Sequence, residues 1–382
     1  MATLSLPPLS LYIHVPWCIR KCPYCDFNSH AAPTELPEDE YIDALLADLE
    51  QDLEWVQQRP IQSIFIGGGT PSLLSVGAYK KLFAGLKNSL EFAPDIEITL
   101  EANPGTFEAE KFAGYFALGI NRLSIGIQSF NGEFLQKLGR VHDGQQALNA
   151  VQIAKDAGFT NFNLDLMYGL PGQSIEDALS DLRHAIRFEP PHISWYQLTI
   201  EPNTEFYKRP PLLPVEDALW DIQEAGLALL SQEGYQHYEI SAHAKAGHEA
   251  RHNINYWQFG DYLGIGAGAH GKITFPDSGD IIRSQKTRMP SDYLNKNKLA
   301  KRRHALIEKE DRGLECLMNA LRLHQGISVK DFEQRTGLTL KDVQKPVDRA
   351  VQLGLLEVSE QLQATDHGQQ YLNELLSLFL TE

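Results

Sequence analysis

The sequence predicts an α/β fold in which repeated βα units build a parallel sheet, followed by a winged-helix-like C-terminal unit. Apolar, β-branched runs alternate with segments whose apolar residues recur at helical spacing, and this alternation is typical of βα units. Polar or glycine residues recur at the carboxyl ends of successive predicted strands, which favours a barrel-like sheet with a site at that edge. These residues are Gly67, Glu101, Gln128, Asp165 and Gln197.

Six strands and the helices between them are predicted in chain order. The strand candidates are rich in β-branched and aromatic residues and cover residues 11–15, 61–66, 96–101, 123–128, 162–167 and 192–198. The helix candidates show the 3.6-residue period and cover residues 38–58, 79–90, 107–118, 147–157, 175–188 and 218–233. Periodicity alone leaves open whether the sheet is open or curved into a barrel.

Three regions are predicted along the chain: a core at 1–234, a connecting region at 235–306 and a C-terminal domain at 307–382. The connecting region is rich in histidine, with His237, His243, His248, His252 and His270. A basic run at 296–303 is interpreted as a solvated connector. The C-terminal region alternates helices, at 314–324, 329–336 and 340–353, with a hairpin at 355–364 and a final helix. That order resembles a winged helix, but its acidic excess disfavours DNA binding.

Composition limits the classes of function. The 382 residues carry a formal net charge of −16, which argues against sequence-independent binding of nucleic acid because phosphate neutralisation needs clustered Lys and Arg. Small molecules or other proteins are the expected partners. The first sixteen residues lack a signal-peptide pattern, and no apolar run is long enough for a transmembrane helix. With few cysteines, this predicts a cytoplasmic protein without a membrane span.

Three of the four cysteines, Cys18, Cys22 and Cys25, fall within eight residues. Their Cys-x3-Cys-x2-Cys spacing suits an iron–sulfur cluster, and three ligands would leave one iron of a four-iron cluster open to a small molecule. The same spacing would also place three small core side chains on one helix face. Pro23 argues against that regular helix because proline removes a backbone donor.

Two other interpretations of the cysteine spacing, a zinc site and a disulfide framework, remain. Zinc could be bound if His14 or His30 completed a tetrahedral site, although zinc sites usually pair two Cys-x2-Cys-like arms and no second arm is visible. A disulfide framework is disfavoured because Cys316 lies far away in sequence.

The cysteine motif, the Gly-Gly-Gly-Thr-Pro turn at 67–71 and the βα series together resemble the radical S-adenosylmethionine (SAM) superfamily. The stretches at 12–16 and 166–171 and the C-terminal unit are similar to the branch that contains oxygen-independent coproporphyrinogen III oxidase. The resemblance implies a partial (β/α)6 barrel, a [4Fe-4S] cluster on the three cysteines, and SAM at the open iron.

The resemblance also implies which residues would bind SAM. Glycines in the turn would let the backbone approach the ligand closely, Asp165 would suit a ribose hydroxyl, and Arg140 would suit a carboxylate. Without the resemblance, Arg140 is equally compatible with a surface position between two helices. The implied SAM-binding set is Tyr12, Tyr24, Phe27, Gly68, Gly69, Thr70, Glu101, Gln128, Arg140 and Asp165.

Two departures from the oxidase pattern argue against coproporphyrinogen oxidation, which is kept as the alternative function. Phe27 stands where the oxidase has a fourth cysteine, and the cysteine loop begins at residue 18 whereas the oxidase carries an N-terminal extension. No residue is assigned a catalytic role, and whether the chain cleaves SAM as an enzyme stays open.

A His-Asn-x-x-Tyr-Trp motif formed by His252, Asn253, Tyr256 and Trp257 resembles the heme chaperone branch of the family. The resemblance implies heme ligation by His252 and delivery of heme to acceptor proteins such as respiratory heme enzymes. It further implies an electron donor such as a flavodoxin if SAM is cleaved, and a monomer or homodimer. Imidazole is a common axial heme ligand and aromatic rings can cover a macrocycle, but a purely structural role for His252 is the plain alternative.

Overall fold

The computed structural model describes residues 3–105, 110–295 and 303–380. Its strands are β1 (Leu9–Val15), β2 (Trp17–Cys18), β3 (His30–Ala31), β4 (Ile61–Gly68), β5 (Phe92–Ala102), β6 (Arg122–Gln128), β7 (Phe162–Tyr168), β8 (His192–Gln197), β9 (Gln236–Glu239), β10 (Ala242–Ala244), β11 (Asp261–Ile265), β12 (His270–Phe275), β13 (Asp280–Gln285), β14 (Arg303–Leu306), β15 (Ile327–Ser328), β16 (Leu356–Val358) and β17 (Gln361–Ala364).

The helices alternate with the strands along most of the chain. They are α1 (Glu38–Glu50), α2 (Val76–Ser89), α3 (Phe112–Ala117), α4 (Gly132–Lys137), α5 (Gly144–Asp156), α6 (Ile175–Ile186), α7 (Glu205–Lys208), α8 (Glu216–Gln232), α9 (Arg251–Trp257), α10 (Pro290–Tyr293), α11 (Lys309–Ala320), α12 (Val329–Thr336), α13 (Gln344–Gln352), α14 (Asp366–Gln370) and α15 (Leu372–Ser377).

The main sheet, within the described ranges, has the order β14-β13-β12-β11-β1-β4-β5-β6-β7-β8-β10-β9. Neighbouring strands from β11 to β8 in this order run parallel, and the outer strands on both sides are antiparallel. The predicted α/β fold with six consecutive βα strands is therefore confirmed. Because parallel strands share one carboxyl edge, their last residues meet on the same side of the sheet.

The central strands are buried on both faces, as expected for a parallel sheet covered by helices. In β1, for example, Tyr12 alone is only partly buried. Capping residues fix the starts of two covering helices: Asp143 and Gln146 form a capping box at α5, and Ser174 and Asp177 form one at α6. Each box satisfies backbone N–H groups that the first helical turn would leave unpaired.

Some predicted bounds differ from the structure. The helix predicted at 38–58 ends at Glu50, and a short 3-10 turn at Leu53–Val56 is closed by Gln57 in a left-handed conformation (φ 51°). Residues 107–109 of the helix predicted at 107–118, and residues 296–302 of the predicted basic connector, lie outside the described residues.

Residues of the predicted connecting region extend the main sheet at both edges. Strand β11 lies beside β1 although some 250 residues separate them, with Leu9 paired to Asp261 and Ile13 to Ile265. Helix α9 packs against β1, β4 and β11. This packing brings the His-Asn-x-x-Tyr-Trp motif next to the strands that precede the cysteine loop and the glycine turn.

The C-terminal residues combine α11, α12 and α13 with a small antiparallel sheet of order β15-β17-β16, which is the helix and hairpin order predicted for a winged helix. Cys316 lies in the apolar core of this unit and is fully buried. Burial raises the pKa of the Cys316 thiol to about 12, so this cysteine is a core side chain and not a reactive thiolate. Among the described residues, no helix is both long enough and apolar enough to cross a membrane.

Candidate functional site

The cysteine loop joins β1 to α1 at the carboxyl edge of the sheet. Cys18 ends β2, and the Cys25 N–H donates to the Cys22 carbonyl over 3.1 Å. Arg140 Nη1 lies 3.6 Å from Cys22 Sγ. All three thiols are partly accessible and line one cavity, so the loop presents them together as the spacing predicts.

The electrostatics of this loop suit a cationic metal cluster. Burial raises the pKa of Cys18 and of Cys25, and the neighbouring thiols raise both further. A bound iron cluster would offset the free-energy cost of ionising these buried thiols, because metal charge stabilises thiolates.

His14 is poorly placed to act as a zinc ligand, because both of its ring nitrogens already have partners. One contacts the Tyr12 hydroxyl and the other the Asn28 carbonyl, each at 2.9 Å. Within the described ranges, no group of three or more Cys, His, Asp or Glu side chains is arranged to hold a single metal ion.

The cavity beside the cysteines has a volume of about 270 Å³ and is walled by the strand ends and the glycine turn. Nine of the ten predicted SAM-binding residues line it: Tyr24, Phe27, Gly68, Gly69, Thr70, Glu101, Gln128, Arg140 and Asp165. Gly68 has a left-handed φ of +115°, and a Cβ at this position would lie 2.5 Å from the His14 ring. The turn therefore requires glycine both for its conformation and for space.

Two buried carboxyl groups face this cavity. Burial, and secondarily the charge of Asp165, raises the pKa of Glu101 to about 7, even though its Oε2 accepts the Gly68 N–H at 3.0 Å. Burial also raises the pKa of Asp165 despite hydrogen bonds from Ser124 and Asn163. A cationic ligand would stabilise both carboxylates, and SAM carries an ammonium and a sulfonium.

A hydrogen-bonded network holds Arg140 inside this cavity. Its Nη2 donates to Asn103 Oδ1 at 2.7 Å and to the Gly126 carbonyl at 2.8 Å. Asn103 in turn donates to Thr70 Oγ1 at 2.9 Å. The structure therefore places Arg140 in the site, and the alternative surface position is wrong.

A second, larger cavity of about 590 Å³ adjoins the first, and Phe27, Gly68 and Glu101 line both. Its remaining walls are mostly aromatic and include the motif on α9. They comprise Tyr12, His14, Asn28, Phe65, His252, Asn253, Tyr256, Trp257, Tyr262, Gly268, His270, Gln285 and Arg288. Its volume and apolar lining are typical of a site for a small organic molecule.

His252 is held in a defined orientation in the wall of the larger cavity. Its Nδ1 lies 3.1 Å from Ser63 Oγ, and its ring packs 5.2 Å from that of Phe65. Among the described residues, no hydrogen bond to Nε2 is found. Burial, with a smaller contribution from the charge of Arg122, lowers the pKa of His252 to about 3. The imidazole is therefore neutral at physiological pH, which is the form that binds metals.

The comparisons with known proteins bear on both cavities. A family model described as Radical SAM superfamily matches residues 12–185, and one described as HemN C-terminal domain matches residues 307–371. The protein named heme chaperone HemW from Haemophilus influenzae is 55% identical over 99% of both chains. This chain belongs to the HemW family of the radical SAM superfamily. HemW of Escherichia coli is 53% identical over 99% of this chain and all of that one, and HemW of Bacillus subtilis is 34% identical over 98% and 99%.

A solved structure similar to this HemW-family chain is the coproporphyrinogen III oxidase HemN of Escherichia coli. It superposes with a TM-score of 0.81 at 25% identity, covering 98% of this chain and 90% of the oxidase. The radical SAM fold predicted from the motifs is thus confirmed.

Two of the sequence-predicted residues do not line the smaller cavity of this HemW-family protein. Tyr12 lines the larger cavity, where its hydroxyl contacts His14, and not the cavity beside the cysteines. Gln197 is exposed at the end of β8, and Tyr196 lines the cavity in its place, donating to Gln128 Oε1 at 2.7 Å. Side chains alternate between the two sides of a strand, so an error of one residue selects the wrong side chain.

Sequence reasoning missed Asn103, Ser124 and Tyr196 in the smaller cavity. Asn103 follows the predicted strand-end residue Glu101 by two positions, so strand alternation could have indicated it. Ser124 lies near the beginning of β6 and carried no comparable signal.

Proposed function

We propose that this chain is a heme-binding chaperone, in which His252 ligates heme iron within the 590 Å³ cavity and from which heme passes to an acceptor protein. The observation that carries the proposal is the buried imidazole of His252, with Nδ1 held by Ser63, in a cavity with a mostly aromatic lining; burial also lowers the pKa of this imidazole. Neutral imidazole is a common axial ligand of heme iron. The relatives named heme chaperone HemW support the same function.

The same proposal assigns the adjoining cavity to a [4Fe-4S] cluster and SAM. Cys18, Cys22 and Cys25 would hold the cluster, and Glu101 and Asp165 would offset the positive charge of SAM. Such a cluster would supply the electron if SAM were cleaved reductively. The chain itself orients the ligands, through the Arg140 network and the glycine turn, and places them next to the heme cavity.

Heme titration of the anaerobically reconstituted protein tests this function. His252→Ala should weaken heme binding at least tenfold, since loss of an outer-shell partner alone typically costs 10- to 100-fold. His248→Ala is the matched control, because His248 is exposed and lies outside the cavity. Equal affinity of wild type and His252→Ala would remove His252 as the ligand.

Coproporphyrinogen oxidation is the alternative function, supported by the fold shared with HemN. Phe27, at the position of the oxidase's fourth cysteine, is 61% exposed at the junction of the two cavities. We expect no protoporphyrinogen IX when the reconstituted protein is incubated with SAM and coproporphyrinogen III without oxygen. Its formation would overturn the chaperone proposal as the sole function.

The proposal includes delivery in the cytoplasm to acceptors such as respiratory heme enzymes. Its support is the low cysteine content and the family relationship. Incubation of the heme-loaded chain with an apo-acceptor should move the heme absorption from one protein to the other after separation, and retention of all heme by this chain would count against delivery.

A further inference from the structure

The larger cavity has a polar side that the iron-ligand proposal does not use. His270 begins β12 and Gln285 ends β13, and the two residues are direct cross-strand partners. Arg288 follows three residues later, and all three line the cavity. Directly opposed residues on antiparallel strands have Cβ atoms about 5 Å apart. The end of this hairpin therefore gathers an imidazole, an amide and a guanidinium at one side of a cavity whose lining is mostly aromatic.

Arg288 is a cation whose backbone is fixed while its side chain stays accessible. Its carbonyl accepts from Asn28 Nδ2 at 3.0 Å, and the preceding backbone continues the hairpin, with Gly268 N–H donating to the Thr287 carbonyl at 2.7 Å. The Arg288 side chain is exposed. No ion pair or hydrogen bond of its guanidinium is found within the described part of the chain. A charged group at the cavity rim is thus available to a ligand.

Charged groups of opposite sign line different parts of the larger cavity. Glu101 lines both cavities and accepts a hydrogen bond from the Gly68 N–H in the glycine turn. The positively charged Arg288 lines the cavity just beyond the end of β13. Its charge, with that of Arg283, also lowers the pKa of His270 after the larger effect of burial. Arg283 is already paired with Glu315, so in a chain of net charge −16 the local cation that would attract an anionic group is Arg288.

We infer that Arg288, assisted by His270 and Gln285, binds the propionate carboxylates of the tetrapyrrole whose iron His252 ligates. This inference rests on the proposed heme function and specifies how the ligand is oriented. The guanidinium fork matches a carboxylate with two parallel hydrogen bonds. This arrangement would leave the ionised propionates near water at the exposed rim and the apolar macrocycle against the aromatic walls, which would avoid burying unpaired charge.

The test compares heme with its dimethyl ester, in which both carboxylates are masked, using the full reconstituted chain. Arg288→Gln should weaken heme binding about 5- to 20-fold, the range expected for a charge-assisted hydrogen bond at a partly solvated site. The ester should bind wild type and Arg288→Gln equally. Arg349→Gln is the matched control, because Arg349 is exposed on α13 and lies outside both cavities.

Two further readouts separate a carboxylate contact from a structural effect. Raising the ionic strength should weaken heme binding by wild type more than by Arg288→Gln, because salt screens an exposed ion pair. Arg288→Lys should retain part of the affinity because it keeps the charge and loses the fork. The absorption spectrum of bound heme should be the same in both variants because His252 still ligates the iron.

The inference is overturned if Arg288→Gln binds heme as tightly as wild type, or if it loses heme and the ester by the same factor. Failure of the proposed function gives a different result, in which wild type itself binds neither heme nor the ester or His252→Ala leaves the heme spectrum unchanged.

Discussion

Replacing Gly69 by alanine should damage the cysteine loop while leaving the heme cavity functional. A Cβ at Gly69 would lie 2.5 Å from the Trp17 carbonyl oxygen and 2.8 Å from its carbonyl carbon, both backbone atoms next to Cys18. Trp17 cannot retreat easily, because it is buried and its ring packs edge-on 4.7 Å from that of Tyr41. Relief of the clash therefore requires the segment that carries Cys18 to move by about 0.5 Å or more, and overpacking of this kind typically costs 1–3 kcal/mol.

The assay is the iron and sulfide content after anaerobic reconstitution, followed by SAM binding and heme titration. Gly69→Ala should lower cluster content and weaken SAM binding about tenfold, since a cost of 1.4 kcal/mol corresponds to a factor of ten, while heme affinity stays within about twofold. Gly77→Ala is the control, because its nearest atom would be Ser75 Oγ at 3.7 Å and alanine suits the helix there. Full cluster content and unchanged SAM affinity in Gly69→Ala would refute the close-approach argument.

Three further predictions concern the supporting structure. Ser63→Ala should weaken heme binding about tenfold in titration, because it removes the partner of the proposed imidazole ligand; unchanged affinity would contradict this role. Asp261→Asn should lower the free energy of unfolding, measured by urea denaturation, by about 3–5 kcal/mol, because it leaves the buried Lys272 ammonium without its counter-charge. Asp95→Asn, which removes an exposed ion pair with Arg251, is the control and should change the free energy of unfolding by less than about 1 kcal/mol. Burial lowers the pKa of His142 from 6.5 to about 4, so between these pH values mainly the unfolded chain takes up the proton. The free energy of unfolding therefore decreases as the pH is lowered, by at most about 1.4 kcal/mol per pH unit. His142→Asn should reduce the loss of stability measured between pH 7 and pH 5, and an identical loss would contradict the assignment.

The main features of the smaller cavity were predictable because a parallel sheet places its strand ends together. Glu101, Gln128 and Asp165 end or lie near the ends of three neighbouring strands, and the structure brings all three into one cavity. Local periodicity suffices for this prediction, since each strand is followed by its own helix. The side chain at the end of β8 was misassigned because periodicity does not fix a strand end to one residue.

The larger cavity was much less predictable because it depends on pairings between distant parts of the chain. Strand β11 lies beside β1, and α9 covers both together with β4. No local pattern specifies a parallel pairing across some 250 residues. The motif indicated His252, but the positions of Tyr12 and Arg288 in the same cavity follow only from the assembled sheet.

Chemical rescue of the axial ligand tests the central claim most directly. His252→Gly leaves space beside Phe65 and Ser63 that free imidazole can enter. We predict that His252→Gly binds heme at least tenfold more weakly than wild type and with an altered absorption spectrum. Added imidazole should restore both the affinity and the spectrum of the wild-type complex. Wild-type affinity and spectrum in His252→Gly without imidazole would contradict heme ligation by His252.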